Sequence, residues 1–377
     1  ADGKGGILEP KFDKQKDIYV DLFKRLEEAN TLLTAGTPIA AISDPVFKGD
    51  VTKWRKFCNS LYLRLLLRTS GKADLATSNI AKIKQIVETA PNTYPIMSNN
   101  AESAALKWSG EIGTGAYVNP YVNGVRAQDF RSPGLGSFFI EHLRDWGDPR
   151  IDANTPNGFG GTGTTNRWGI AQGPNGYSGI QGGYAVGTGV TKQAYFYSQD
   201  QTLSSVILGA KSLQQNPLTG ILMNYAEVQF ILAEAAVKGW IGGSVENYYN
   251  AGIANSINYW VPTWTTNPTT KQFTDYVTGA DIAWEPSATL DGKMEQIHLQ
   301  KYFALFLVDL QQWFEYRRTG HPVLPKGPGL RNGGIMPARM TYPVYVQSAN
   351  PTNYKIAVTA QGPDEINTNV WWQKPGQ

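Results

Sequence analysis

The chain has 377 residues, 41% of them hydrophobic and 17% charged, the composition of a folded chain with a sizeable core and room for about two to three domain-sized units. Its formal net charge is only +3 and its basic residues are scattered (Lys53, Arg55, Lys56; Lys82, Lys84; Arg317, Arg318), which excludes the continuous basic stripe of a nucleic-acid surface. A lone Cys58 excludes an internal disulfide, and no apolar run reaches membrane-spanning length, residues 61–67 being interrupted by Arg64.

The opening Ala1-Asp2-Gly3-Lys4-Gly5-Gly6 has neither the charged nor the apolar region of a signal peptide. Over residues 13–33, Ile18, Leu22, Leu26, Ala29 and Leu33 recur at spacings of three and four, predicting a helix closed by Gly36 and Pro38. Two helices joined at Gly71 follow. The first carries Trp54, Phe57, Leu61 and Leu65 behind an Asp50 N-cap; the second carries Ala76, Ile80, Ile83 and Val87 and stops at Pro91. Arg64 and Arg68, one turn apart in a Leu-rich helix, require buried partners such as Glu227 or Glu234.

Residues 95–220 read as loop-rich, and 154–199 are dense in Gly, Asn, Thr and aromatics. Helical periodicity returns at 222–239 and 244–260. In the first of these, Ile221, Tyr225, Val228, Leu232 and Ala235 make one apolar stripe, and Ala226, Phe230, Ala233 and Val237 make another. Only Asn224, Glu227, Glu234 and Lys238 remain polar, so this helix is sandwiched between neighbours, as stacked helical hairpins require. After a loop-rich stretch at 261–290, a long helix is predicted over 291–319, with Leu299, Tyr302, Phe306, Leu310 and Trp313 on one face. Arg317 and Arg318 fall in its last turn, where cations complement the helix dipole.

Chemistry is sparsely signalled. Gly158-Phe159-Gly160-Gly161-Thr162-Gly163 spells a dinucleotide fingerprint, but neither a buried strand before it nor a helix after it is predicted, so the match is a coincidence of glycine richness. His142, His298 and His321 lie far apart without a second ligand at helix spacing; no metal or cofactor is expected. Glycoside hydrolysis needs two carboxylates flanking the scissile bond, and residues 153–199 contain no Asp or Glu. Acids outside that stretch, such as Glu141, Asp145 and Asp148, would have to converge on a site to supply the pair. Aromatics with amide neighbours are better furnished to hold a sugar, whose C–H faces stack on rings while its hydroxyls take hydrogen bonds. Ligand contact is therefore expected at Trp168, Tyr177, Trp264 and Trp284, with Asn166 and Arg167 as hydrogen-bond donors and no catalytic residue. The alternative is that these rings pack beneath long loops as satellite cores.

Three phrases in the C-terminal third carry a family resemblance: Gln300-Lys301-Tyr302-Phe303-Ala304-Leu305-Phe306, Glu315-Tyr316-Arg317-Arg318-Thr319-Gly320-His321-Pro322, and Ile335-Met336-Pro337-Ala338-Arg339-Met340-Thr341-Tyr342-Pro343 with a closing Trp371-Trp372. With Asp148-Pro149-Arg150 they resemble the SusD-like (RagB-like) family of Bacteroidetes outer-membrane lipoproteins. The resemblance implies a mainly α fold, a tetratricopeptide-like helical hairpin scaffold with a loop-rich, partly irregular ligand-binding region. It implies one such domain over 1–377 lacking its N-terminal part, with hairpins near 14–90 and 222–260 and a C-terminal helix and tail at 290–377. It further implies a binding protein and not an enzyme, capturing glycans at the cell surface for a SusC-like TonB-dependent transporter. Attachment to the membrane would come through an N-terminal lipid absent from this chain. The alternatives are a peptide-binding member of the same family and, in a different class, a glycoside hydrolase.

Overall fold

A computed structural model describes residues 5–108, 117–130, 134–151, 168–185, 187, 188, 190, 191, 193–196, 212–215 and 217–373. The fold is mainly α. Helices α1 (Gln15–Thr34) and α2 (Val51–Thr69) pack side by side, and α3 (Ala73–Lys84) runs on into a π-helical turn, Gln85–Thr89. Asp50 caps α2, its Oδ1 accepting from the Lys53 amide at 3.0 Å. The apolar faces meet in a core where Tyr62, Leu63, Leu66, Ile83 and Ile86 are buried, with Phe23 and Leu26 of α1 packed against them.

A short strand β1 (Ala104–Leu106) leads into small helices α4 (Pro120–Gly124) and α5 (Ala127–Phe130) and then α6 (Ser137–Asp145). Strands β2 (Ile170–Ala171) and β3 (Tyr195–Phe196) pair antiparallel, as do β1 and β4 (Gly220–Met223), with Ala105 opposite Ile221. β4 feeds α7 (Tyr225–Val237), which is buried from Ala226 through Ala235. Helix α8 (Val245–Trp260) lies close against it because Gly252 meets the Phe230 ring, where a Cβ would stand only 2.6 Å from the ring edge.

The polar edge of α7 is not solvated. Glu227 accepts from Arg64 Nε and Nη2, both at 2.6 Å, so α2 and α7 are clamped by a buried ion pair. Arg68 takes a different partner from the carboxylate expected: its Nη2 donates to Gln311 Oε1 at 2.5 Å, and its guanidinium lies 4.9 Å over the Phe314 ring.

Helix α9 (Lys271–Gly279) precedes α10 (Leu290–Ala304) and α11 (Gln311–Thr319). The last two replace the single helix expected over 291–319. Between them Leu307 and Asp309 adopt left-handed backbone, φ 61° and 48°, which turns Phe306 into an aromatic core. There it lies 4.3 Å from Trp168, 5.3 Å from Phe139 and 6.1 Å from Trp260. Helices α12 (Val344–Ala349) and α13 (Pro351–Gln361) finish the chain and hold its N-terminal strap, Asn350 and Asn353 donating to the carbonyls of Pro10 and Glu9.

Candidate functional site

The loop between α1 and α2 closes on one carboxylate. Asp44 Oδ1 accepts from the Val46 and Phe47 amides at 3.0 and 3.1 Å; its Oδ2 accepts from the Gly49 amide at 2.7 Å and the Trp54 indole at 2.8 Å. Burial alone would push this carboxyl up, but the four donors hold it below the usual carboxylate range. The loop thereby keeps Lys48 in left-handed backbone, φ 55°, a conformation costing a side-chain-bearing residue about 1–2 kcal/mol. Gly49 beside it, φ 87°, lies so close to the Ile39 carbonyl that a Cβ would collide.

This loop forms one wall of a groove of about 370 Å³, within the range of about 300–1,000 Å³ common for small-molecule sites. Phe47, Leu218, Tyr259 and Pro262 supply its apolar surface, and Asn100, Ser103 and Asn258 its polar edge. The far wall is held by Asn258, whose Oδ1 accepts from Asn100 Nδ2 at 2.9 Å while its own Nδ2 donates to the Trp264 carbonyl at 2.7 Å. The Tyr259 hydroxyl donates to the Leu218 carbonyl at 3.1 Å, fixing the ring. Lys48, Lys53 and Lys107 complete the lining. A fixed aromatic, two amides and cations in one hollow suit a sugar's mixture of C–H faces and hydroxyls.

The aromatics singled out from the sequence part company. Trp168 is 0% exposed, stacked on Phe139 at 5.6 Å and 19°, edge-on to Trp260, with the Arg150 guanidinium 4.9 Å over its face. Tyr177 is 3% exposed and its hydroxyl donates to the Ile151 carbonyl. Both rings are core, and the ligand contact expected of them is replaced by packing around α6 and the α10–α11 break. Trp264 and Trp284 stay half-buried, against Tyr276 and Tyr249 at 5.6 and 5.3 Å. Asn166, Arg167 and the 158–163 glycine motif lie outside the described residues.

The acids weighed for catalysis are differently placed. Asp148 is buried and fully engaged, accepting from Arg150 Nε and Nη2 at 2.8 and 2.6 Å and from the Tyr276 hydroxyl at 2.9 Å. Glu141 and Asp145 share a second hollow with His142 and Trp146. There Glu141 accepts from the Gly179 amide and Asp145 from Arg144.

Among the described residues the trio suited to a metal by donor type is Glu234, His298 and Glu315, all buried. Cations already occupy it. Arg318 donates to both Glu234 oxygens at 2.7 and 2.6 Å and to Glu315 at 2.7 Å; Lys301 reaches Glu315 at 2.7 Å and Lys238 reaches Glu234 at 2.6 Å. Burial would raise both carboxyls, but Arg318 first, with Lys238 at Glu234 and Lys301 at Glu315, holds them well below the usual range. His298, Nε2 3.2 Å from Glu234, is pushed down by burial. The cluster is an ionic brace joining α7, α10 and α11, and it gives Lys301, Glu315 and Arg318 of the first two C-terminal phrases one shared structural task. Arg317 binds the third phrase, donating to the Ala338 carbonyl and lying 4.7 Å over Trp372.

A family profile described as "starch-binding associating with outer membrane", SusD-like, matches residues 1–343. The chain belongs to the SusD-like family. No curated protein matches it significantly. Its fold is shared with a SusD homologue from Bacteroides fragilis, 25% identical, covering 98% of this chain and 77% of that one with a TM-score of 0.69. A second structure, titled a chitin-binding protein, is 25% identical with a TM-score of 0.67, covering 97% of this chain and 74% of that one. A further SusD homologue from Bacteroides fragilis, 22% identical with a TM-score of 0.72, covers 99% of this chain and 78% of that one. The helical hairpins described above are thus the tetratricopeptide-like scaffold of SusD-like proteins.

Sequence reasoning reached Trp264, tied to the groove through Asn258, but not the groove itself. Lys48 and Lys53 come from one segment, the end of the α1–α2 loop and the start of α2, and Lys107 from another just after β1, and no spacing along the chain marks the two segments as neighbours.

Proposed function

We propose that this SusD-like chain captures a glycan at the cell surface and hands it to a partner TonB-dependent transporter in the outer membrane. The observation that carries the reading is the groove, whose lining offers the fixed Tyr259 ring and Phe47 beside Asn100 and Asn258. Binding is favoured over cleavage because, among the described residues, no carboxylate lines it, whereas hydrolysis of a glycosidic bond needs a pair. The family description and the chitin-binding structure support a glycan as ligand. Half-buried Trp264, tied to the groove through Asn258, extends the contact surface, and Trp284, Asn166 and Arg167 are proposed as further ligand contacts from their side-chain chemistry alone. Attachment to the membrane is through an N-terminal lipid.

Incubation with a panel of oligosaccharides tests this reading. Retention of at least one glycan with no new reducing ends is the expected result; release of reducing ends would make the protein a hydrolase. Retention of peptides alone would move it to a peptide-capturing role.

A further inference from the structure

Lysines elsewhere on this molecule are commonly paired. Lys16 meets Asp74 at 2.5 Å, Lys56 meets Glu102 at 2.5 Å, Lys82 meets Glu27 at 2.7 Å and Lys271 meets Asp275 at 2.6 Å. The three lysines of the groove are not. Lys48, Lys53 and Lys107 converge on one hollow, and none has an ion-pair or hydrogen-bond partner for its ammonium among the described residues.

Nearby carboxylates are already committed elsewhere. Asp44 spends both oxygens on loop amides and the Trp54 indole, Asp50 caps α2, and Glu102 is held by Lys56 and the Ser98 amide. Asp44 and Asp50 keep their charge but turn it to the loop amides, the Trp54 indole and the start of α2, so among the described residues the charged side chains that line the hollow are these three lysines, and its low-dielectric walls focus their field on the open face. Lys48 is moreover presented from left-handed backbone that the Asp44 network holds in place, which fixes the point from which its exposed side chain leaves the loop.

We infer that the groove selects an anionic saccharide, one carrying carboxylate or sulfate groups, with the sugar face on Tyr259 and its charges on Lys48, Lys53 and Lys107. This inference rests on the glycan-capture reading and narrows its substrate class. A carboxylate and a sulfate make the same kind of contact with an ammonium, and the two sources are separated by the ligands used.

The test measures binding of the intact chain to four oligosaccharides of equal length: an oligogalacturonate, a sulfated galactan fragment, a malto-oligosaccharide and a chito-oligosaccharide. A poly-glutamate peptide of matching charge is the control. At least one anionic sugar should bind about tenfold or more tighter than the neutral ones, the sum available from three partly exposed ion pairs. That preference should shrink as salt rises from about 0.05 M to about 0.5 M. The triple variant Lys48→Gln, Lys53→Gln, Lys107→Gln should lose the preference with its melting temperature and helical spectrum unchanged. Comparison of the oligogalacturonate with the sulfated fragment then assigns the charge type. Neutral glycans bound as tightly as anionic ones would overturn the anionic selectivity and leave glycan capture standing. A triple variant that keeps the preference would remove it from this groove. Equal binding of the peptide would show that charge alone is read. If no saccharide binds at all, the glycan-capture reading falls with it.

Discussion

The Trp168 indole is enclosed by Phe139, Trp260, Phe306 and the Arg150 guanidinium. Trp168→Ala removes this ring from a site that cannot collapse freely, an expected cost of about 3–5 kcal/mol, seen as a clear fall in melting temperature. Glycan retention by the fraction that remains folded should be unchanged, and a loss of retention at full stability would return Trp168 to the ligand. Asp44 is the second residue on which much depends. Asp44→Ala leaves the Val46, Phe47 and Gly49 amides and the Trp54 indole without their acceptor. The expected loss is about 1–3 kcal/mol, with faster amide exchange confined to residues 44–50 and weaker ligand retention because Lys48 is no longer held. Uniform protection across that loop in the variant would contradict the locking role.

Between elements, the brace of Glu234, Glu315, His298, Lys301 and Arg318 fastens α7 to α10 and α11. Its titration gives stability a definite pH dependence. Burial sets the His298 value below the ordinary one, so the unfolded chain takes up that proton first. The contribution is whole above about pH 6.5 and declines as pH falls below it. Glu234 and Glu315 are held well below the usual range. Their contribution is present above about pH 4.3 and is lost as pH falls through their folded values. Denaturant midpoints measured from pH 7 downward should therefore drop in two stages. His298→Gln should flatten the first and spare the second; an unchanged first stage would assign it to another group. The α10–α11 break acts between elements too, because turning the chain at Leu307 and Asp309 seats Phe306 in the aromatic core while α11 brings Arg318 onto Glu234.

For the molecule as a whole, no helix among the described residues is long and apolar enough to cross a membrane, and membrane attachment is proposed to come from an N-terminal lipid. Liposome flotation checks this: the 377-residue chain, made without a lipid, should stay in the dense fraction, and the same chain carrying an N-terminal diacyl anchor should float. Flotation of the unlipidated chain would reveal a membrane surface of its own.

Helical segments were legible from the order of residues alone, because burial of one face imposes a period that residues 13–33, 51–90 and 222–260 all display. The same reading asked for buried partners such as Glu227 or Glu234 for Arg64 and Arg68, since a charge in a Leu-rich helix has to be neutralised; Arg64 has one of them and Arg68 meets Gln311 instead. The C-terminal phrases were legible for a related reason: Lys301, Glu315 and Arg318 answer to one another across a buried brace, so each constrains the others. Assigning Glu227 to Arg64 and Glu234 to Arg318 took the folded chain, because both acids lie on the same helix and the choice depends on how α2 and α11 dock on it. Packing also separated Trp168 in the core from half-buried Trp264, two rings in equally turn-rich sequence. The groove was the least legible of all. Its walls come from residues 46–53, 100–107, 218 and 258–262, and lysines brought together from such separated segments leave no periodic trace in the chain.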